Sequence, residues 1–405
     1  MQEPNRLRVY RNPRAAPRAE AYGNARAQIL NEAGFAGAEL EIRRWPGYAE
    51  TPLLELPSLA SRLEIGALAY KDESGRFGLK SFKALGGAYA VFRALAKTVG
   101  TRLDAADVDS RRMIEGSYAS ITQSVTVTCA TDGNHGRSVA WGAQLFGCNC
   151  VIFVHETVSE ARCAAIARYG ADVIRVPGNY DDSVRHAAHQ AEKRGWVVVS
   201  DTTYEGYRDI PIDVMHGYGV LSREIVRTMG DAPPTHAFVQ AGVGGLAASV
   251  CAQFWMAWGE RRPELVIVEP MQADCHFQSA KAGRPVVVTG SLDTVMAGLA
   301  CGEVSPAAWE LLDAGVSAFV AVDDAFALDA MRVLASPAPP DPAIVAGETG
   351  AAGLAALLAI NEHADLKSTL GLDRSSRVLL IGSEGDTDPE MYRSVVGHPG
   401  DEATT

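Results

Sequence analysis

The chain has few cysteines, no net positive charge and no long apolar run. Its seven cysteines among 405 residues are too few for the disulfide scaffold of a small secreted protein. The formal net charge of -12 argues against a nucleic acid partner, since binding a phosphate backbone needs a basic face. No apolar run reaches the roughly 20 residues that a membrane helix needs, and the N-terminus lacks the apolar core of a signal peptide. These absences predict a cytoplasmic protein that binds neither nucleic acid nor membrane.

A metal site is not predicted either. Cys148 and Cys150 resemble half of a zinc motif, but no second pair of cysteines or histidines lies at zinc spacing. Both lie on or beside an apolar segment that is typical of a buried strand.

Short apolar strands alternate with longer helical patterns from about residue 65 onward. This alternation indicates an α/β chain with parallel sheets that are covered on both faces. We predict a large domain formed by residues 1–87 and 201–405, with 1–50 as an N-terminal arm, and a small inserted α/β domain at 88–200. Four prolines within residues 336–342 predict a loop there. The clearest predicted strands are 125–130, 151–154, 173–176, 197–200, 237–241, 265–268 and 378–381.

Lys83 is the first candidate for chemistry. It follows Ser81 and Phe82 and begins a helical segment rich in alanine and glycine. A lysine amine can condense with an aldehyde, so the cofactor that this residue suggests is pyridoxal phosphate. A lone lysine is more often a solvated helix residue, so the hypothesis depends on three further segments.

A glycine-rich segment joins an apolar strand to a helix and predicts a phosphate site. Glycines let the backbone approach a ligand closely, and the helix N-terminus offers N–H groups and a positive dipole end to an anion. The residues of this segment are Gly242, Val243, Gly244, Gly245 and Leu246.

The same segment also fits a dinucleotide-binding fingerprint. Gly242, Gly244 and Ala247 have the required spacing, and Glu269 lies 22 residues further on, where a ribose-binding acid is expected. A domain of that kind usually begins with this unit, whereas here the unit lies beyond residue 235. A NAD-dependent dehydrogenase is therefore the more distant alternative, and a tight turn without ligand is another.

A polar loop follows the predicted strand 125–130 and precedes a helix, which is where α/β proteins bind ligands. Asn134 can donate a hydrogen bond to the phenolic oxygen of the cofactor. The neighbouring N–H groups can hold a substrate carboxylate. The alternative is a helix cap formed by Asp132 or Asn134. The proposed substrate residues here are Thr131, Asp132, Gly133 and His135.

Ser383 follows the predicted strand 378–381 and is the candidate partner of the cofactor's ring nitrogen. A neutral hydroxyl leaves that nitrogen unprotonated, whereas an acidic partner would protonate it. An unprotonated ring nitrogen favours β-elimination. Glu384 and Asp386 lie beside it in the chain and compete for the assignment.

These segments, in this order, resemble the fold-type-II pyridoxal phosphate enzymes, which include the serine and threonine dehydratases, the tryptophan synthase β chain and the cysteine synthases. Within that group the chain is most similar to the diaminopropionate ammonia-lyase family, over residues 75 to 390. The resemblance implies two open twisted parallel sheets in a large and a small domain, and a homodimer. Lys80 stands where that family usually has asparagine, and it adds positive charge three residues before Lys83. The segments that carry the resemblance are 76–87, 130–141, 179–184, 200–211, 215–219, 296–303, 331–334, 347–353 and 384–389.

The resemblance also implies a reaction, the α,β-elimination of 2,3-diaminopropionate, of either enantiomer, to pyruvate and ammonia. Lys83 would hold the cofactor and act as base on one face, and Asp132 would be the base on the opposite face. Asp201 would pair with the second ammonium group of the substrate, although its position at a strand end alone favours an Asx-turn. A pyridoxal phosphate-dependent dehydratase of serine, threonine or 3-hydroxyaspartate is the alternative function. The resemblance leaves open whether Cys275 and Cys301 form a disulfide.

Overall fold

The computed structural model describes residues 6–131, 133–178 and 180–400. Within these ranges the strands are β1 (Leu7–Arg11), β2 (Leu53–Glu55), β3 (Ala67–Asp72), β4 (Thr126–Ala130), β5 (Asn149–His155), β6 (Asp172–Val176), β7 (Val197–Val198), β8 (His236–Gln240), β9 (Glu264–Pro270), β10 (Ala318–Val322) and β11 (Arg377–Gly382).

The same ranges contain helices throughout. They are α1 (Gly23–Ala27), α2 (Glu32–Ile42), α3 (Pro57–Arg62), α4 (Lys83–Leu103), α5 (Ser110–Ile114), α6 (Ala119–Thr122), α7 (Asn134–Phe146), α8 (Glu160–Ala167), α9 (Tyr180–Arg194), α10 (Asp209–Met229), α11 (Gly245–Trp258), α12 (Cys275–Ala282), α13 (Pro306–Gly315), α14 (Asp324–Ala335), α15 (Ala352–Asn361), α16 (Ala364–Leu370) and α17 (Pro389–Val396). Short 3-10 turns lie at Arg76–Gly78, Gly259–Arg261 and Ala297–Leu299.

The strands form two sheets, which confirms the predicted α/β fold class. One sheet has seven strands in the order β1-β10-β9-β8-β11-β3-β2, and the other has four in the order β6-β5-β4-β7. The inner strands of the larger sheet pair in parallel, and every residue of β8 and β10 is buried, as expected for strands covered on both faces. The two edge strands differ from the prediction, because β1 and β2 pair antiparallel with their neighbours.

The chain divides into two compact units. The first contains Met1–Glu32, Glu50–Ser81 and Leu221–Thr405 and holds the seven-stranded sheet. The second contains Ala33–Ala49 and Phe82–Val220 and holds the four-stranded sheet. Its bounds are wider than the inserted segment 88–200 that the sequence suggests. In this second unit α4 packs tightly on α7, since a Cβ at Gly142 would lie only 2.7 Å from the Cα of Ala88.

Residues Leu7–Arg11 of the predicted N-terminal arm are part of the larger sheet. Strand β1 pairs with the fully buried β10 through the register Leu7 to Val322 and Arg11 to Ala318. The side-chain amide of Asn12 then donates to the carbonyls of Asp313 and Val316, at 2.7 and 2.8 Å. The arm therefore protects one edge of the sheet.

One other expectation is met in the described residues. The proline-rich segment 336–342 contains no helix or strand, because α14 ends at Ala335 and α15 begins at Ala352. Among the helices of residues 6–131, 133–178 and 180–400, none is long and apolar enough to cross a membrane.

Candidate active site

Lys83, the first residue of α4, contacts Asp201 in the second unit. Its Nζ donates to Asp201 Oδ2 at 2.7 Å, and the two side chains are 21% and 18% exposed. The ammonium also lies 5.5 Å from the ring centre of Phe82 and 5.6 Å from that of Tyr218. Aromatic faces attract a cation, so this environment favours the charged amine beside the carboxylate. The structure thus brings together three residues that the sequence proposed for one site: Phe82, Lys83 and Asp201.

The charge of Asp201 is strongly favoured. Burial alone would raise the pKa of this carboxyl, but the Lys83 ammonium, and after it His135, hold the pKa well below its ordinary value. Nδ1 of His135 lies 3.8 Å from Asp201 Oδ2. Asp201 is therefore a carboxylate at neutral pH, able to hold a cationic group.

The backbone that carries Asp201 is fixed by side chains from the same unit. The hydroxyl of Tyr207 donates to the carbonyl of Val198 at 2.8 Å and accepts from the N–H of Ser200 at 3.0 Å. Nε2 of His135 lies 2.8 Å from the Val199 carbonyl, which can only accept, so this nitrogen carries a hydrogen. Tyr207 had not been proposed as a site residue, and no spacing rule points to it.

The polar loop before α7 is held by Thr131. Its hydroxyl accepts from the N–H groups of Gly133 and Gly136, at 3.1 and 3.2 Å. The Thr131 hydroxyl therefore takes part in capping the start of α7. Oδ1 of Asn134 accepts from Arg137 at 2.8 Å, which sets the orientation of the amide. Asp132 lies outside the described residues.

In the first unit, the segment from Gly242 to Leu246 forms a tight connection between β8 and α11. Gly242 and Gly244 have φ angles of 56° and 104°, in the left-handed region that favours glycine. A Cβ at Gly244 would also lie 2.7 Å from the ring of His276. The loop leads directly into the N-terminus of α11, a geometry suited to an anion.

Glu269 is not available for the dinucleotide reading. It is 1% exposed, and its two carboxylate oxygens accept from the N–H groups of His276 and Phe277, both at 2.8 Å. Burial raises its pKa to about 8. Its carboxyl group therefore caps the start of α12 and is not available to bind a ribose.

Glu269 also belongs to a group of possible metal ligands. Its donor atoms and those of Cys275 and His276 all lie within 4.8 Å of one another. Because both oxygens of Glu269 already accept from the backbone, the group is explained as a helix cap. Cys275 is a free thiol, as is Cys301.

Ser383 follows β11 and is 1% exposed. Its hydroxyl oxygen lies 2.7 Å from Nε2 of Gln240, the last residue of β8. Gln240 was not among the predicted site residues. The sequence signal for it is a polar glutamine at the end of the apolar run Ala237–Val239.

Lys80 does not carry an uncompensated charge. Its ammonium lies 2.8 Å from Asp386, and its φ angle of 55° is in the left-handed region, where asparagine is more common than lysine. The backbone N–H of Gly385 also donates to the carbonyl of Lys80 at 3.0 Å. This residue thus fastens the loop beside Ser383.

The chain is similar to known proteins in both sequence and structure. Residues 44–383 match the profile of the family described as "Pyridoxal-phosphate dependent enzyme". The chain is 40% identical to the diaminopropionate ammonia-lyase of Salmonella typhimurium over 94% of its own length and 96% of the relative, and 41% identical to that of Escherichia coli strain K12 over 86% and 88%. It also superposes on the crystal structure of the Escherichia coli diaminopropionate ammonia lyase with an aminoacrylate-PLP azomethine reaction intermediate, with a TM-score of 0.85, 37% identity and 96% of each chain covered.

Proposed function

The chain belongs to the diaminopropionate ammonia-lyases, one group within the pyridoxal-phosphate-dependent enzymes, and we propose that it eliminates ammonia from 2,3-diaminopropionate. The products are pyruvate and two molecules of ammonia. The observation that carries this proposal is the 2.7 Å contact between Lys83 Nζ and Asp201 Oδ2. A reactive amine held beside a carboxylate can both receive and pass on a proton.

Pyridoxal phosphate is the cofactor of this family, and when bound it withdraws electrons and acidifies the Cα hydrogen of an amino acid. Several described residues fit its chemical groups. The left-handed glycines and helix N-terminus after β8 suit a phosphate, and a buried hydroxyl suits a ring nitrogen. The residues proposed to hold it are Lys83, beside Phe82, with Asn134 at the phenolic oxygen, Gly242, Val243, Gly244, Gly245 and Leu246 at the phosphate, and Ser383 at the ring nitrogen.

Lys83 is proposed as the base on one face of the substrate. Its neutral Nζ would take the Cα proton, and Asp201 Oδ2 would stabilise the ammonium that results. The short contact between these two atoms supports this role. Since Asp201 stays ionised at neutral pH, it is also suited to pair with the second ammonium group of the substrate.

Asp132 is proposed as the base on the opposite face. It is adjacent in sequence to Thr131, whose hydroxyl holds the start of α7. The neighbouring residues Thr131, Gly133 and His135 are proposed to position the substrate carboxylate. Two bases on opposite faces would let the enzyme accept both enantiomers.

The substrate proposal is tested by pyruvate release from the purified holoenzyme. We expect the D and L forms of 2,3-diaminopropionate to have a higher kcat/KM than serine, threonine or 3-hydroxyaspartate. A higher kcat/KM for a β-hydroxy amino acid would show that the enzyme is a dehydratase, and absence of pyruvate from all of them would contradict the catalytic assignment.

A homodimer and a cytoplasmic location are further proposals, which rest on the resemblance to the family and on the sequence. Sedimentation velocity of the holoenzyme tests the first, with a species of twice the chain mass as the expected result. Fractionation of the source cells tests the second.

A further inference from the structure

Gln240 is a buried amide with three acceptors around one end. It is 2% exposed and ends β8 in the first unit. Its Nε2 lies 3.1 Å from the carbonyl oxygen of Thr349, 2.9 Å from that of Ile381 and 2.7 Å from Ser383 Oγ. An amide nitrogen has only two hydrogens, so the three acceptors share them.

The two carbonyls fix which end of the Gln240 amide faces them. A carbonyl oxygen accepts and never donates, so it requires the nitrogen end of the amide. With the amide flipped, Oε1 would lie against the carbonyl oxygens of Thr349 and Ile381, leaving both buried acceptors without this donor. The nitrogen end therefore also faces Ser383.

This orientation determines the role of the Ser383 hydroxyl. A hydroxyl has one hydrogen to donate and two lone pairs that accept. Toward Nε2 of Gln240 the oxygen can only accept, so its hydrogen points elsewhere. Gln240 also donates to the carbonyls of Thr349 and Ile381, which hold its amide in this orientation.

We propose that Gln240 is a positioning residue that makes the Ser383 hydroxyl a hydrogen-bond donor to the ring nitrogen of the cofactor and so keeps that nitrogen unprotonated. The inference rests on the proposed function, in which Ser383 faces this nitrogen. An unprotonated nitrogen can accept from the hydroxyl, whereas a protonated one needs an acceptor. A weaker electron sink draws less charge from Cα into the ring, and the charge that stays at Cα favours prompt departure of the β-amine.

The test compares Gln240→Leu and Gln240→Glu with the wild-type protein, each loaded with pyridoxal phosphate that carries 15N in its ring. Nitrogen NMR reports the protonation of the ring directly, without turnover. We expect the unprotonated signal in the wild type. In Gln240→Leu the Ser383 oxygen no longer accepts from an amide, so its hydrogen is no longer directed toward the ring nitrogen, and we expect the signal to move toward the protonated position. The dissociation constant of the cofactor should rise roughly three- to tenfold, as for one lost neutral hydrogen bond.

Glutamate has nearly the same shape as glutamine, so Gln240→Glu should fold even if Gln240→Leu does not. Its carboxylate accepts the Ser383 hydrogen when ionised, whereas its protonated form can donate as the amide does. The ring signal should therefore become pH-dependent in this variant alone. Gln253→Leu is the matched control, since Gln253 is also a buried glutamine, 4% exposed, but lies within α11. It should leave the ring signal unchanged.

The outcomes test the role of Gln240 separately from the proposed substrate. A protonated ring in the wild type, or the same signal and the same dissociation constant in both Gln240 variants, overturns the role of Gln240. The expected signals together with failure to cleave diaminopropionate support Gln240 and overturn only the substrate. Failure of the wild-type protein to bind the cofactor overturns both.

Discussion

Two lysines of this chain each contact a carboxylate, yet their surroundings differ. Lys83 Nζ lies 2.7 Å from Asp201 in the second unit, and Lys71 Nζ lies 2.6 Å from Glu224 in the first. Lys71 and Glu224 are only 2% and 1% exposed, whereas Lys83 and Asp201 are 21% and 18% exposed. Distance alone therefore does not separate the lysine proposed as catalytic from a structural one.

The partners of the two pairs account for the difference. Lys71 also donates to the Thr51 carbonyl at 2.7 Å, and Glu224 accepts from Arg76 at 2.8 Å. Burial would raise the pKa of Glu224, but Arg76 and Lys71 lower it. Each charge in this cluster is already paired, so it stabilises the fold. Lys83 contacts the Asp201 carboxylate and the faces of Phe82 and Tyr218 and is 21% exposed, which fits the chemistry proposed for its amine.

The largest effect is expected from removal of Lys83, the more exposed of the two compared lysines. Lys83→Ala should abolish turnover and the visible absorbance of the bound cofactor, because it removes the amine proposed to hold the cofactor covalently. Pyruvate release and an absorbance spectrum measure both. Lys80→Ala is the control and should keep both, since the Lys80 ammonium pairs with Asp386. Loss of the absorbance in Lys80→Ala but not in Lys83→Ala would reverse the assignment.

A second substitution tests whether Asp132 acts as a base on the face of the substrate opposite Lys83. Asp132→Asn should reduce turnover of one enantiomer of diaminopropionate, the D form, by about 10²–10⁴-fold, the usual contribution of a general base. The L form should keep its turnover, because Lys83 reaches its proton. Separate kcat values for the two enantiomers measure the effect. Equal loss for both would assign Asp132 to binding or to loop structure.

A third substitution examines the buried pair. Lys71→Met should lower the free energy of unfolding by about 3–5 kcal/mol, because it leaves excess negative charge in the cluster of Glu73, Arg76 and Glu224. Denaturant titration measures it. Adding Glu224→Gln should restore part of the loss. A change below about 1 kcal/mol would mean that Lys71 is no more structural than an exposed lysine.

The smallest effect concerns the stability that Asp201 contributes in the cofactor-free protein. Its pKa is lower in the folded chain than the ordinary 3.8, so its contribution is present above that pH and is lost as the pH falls toward the folded pKa. Asp201→Asn should therefore cost roughly 1–3 kcal/mol at neutral pH, and the difference from wild type should shrink below about pH 4. Unfolding curves at several pH values measure it, and a difference independent of pH would contradict it.

The comparison also explains what could be predicted from the sequence. Lys83 was found from its neighbours in the chain, and the strand and helix alternation identified the α/β class. Asp201 was found through the family resemblance, since its position alone favoured an Asx-turn. The sequence analysis proposed no role for Lys71, because its carboxylate partner is 153 residues away.

Contacts between residues far apart in the chain leave no local pattern in the sequence. The amide of Gln240 bonds to residues 109 to 143 positions further on, so no spacing rule could reveal it. Strand β1 lies in the predicted N-terminal arm, and its arginines conceal the apolar pattern of a strand that pairs with β10. One of them, Arg11, pairs with Glu264 of β9 at 3.2 Å.

Strand β1 has a consequence for how this protein is handled. Each of the five residues of β10 that it covers is fully buried. Trimming the first dozen or so residues would leave every proposed catalytic group in place, yet it would open the N–H and C=O groups of β10 to strands of other chains. The damage would then be seen as concentration-dependent aggregation during purification, in molecules whose active sites remain chemically complete.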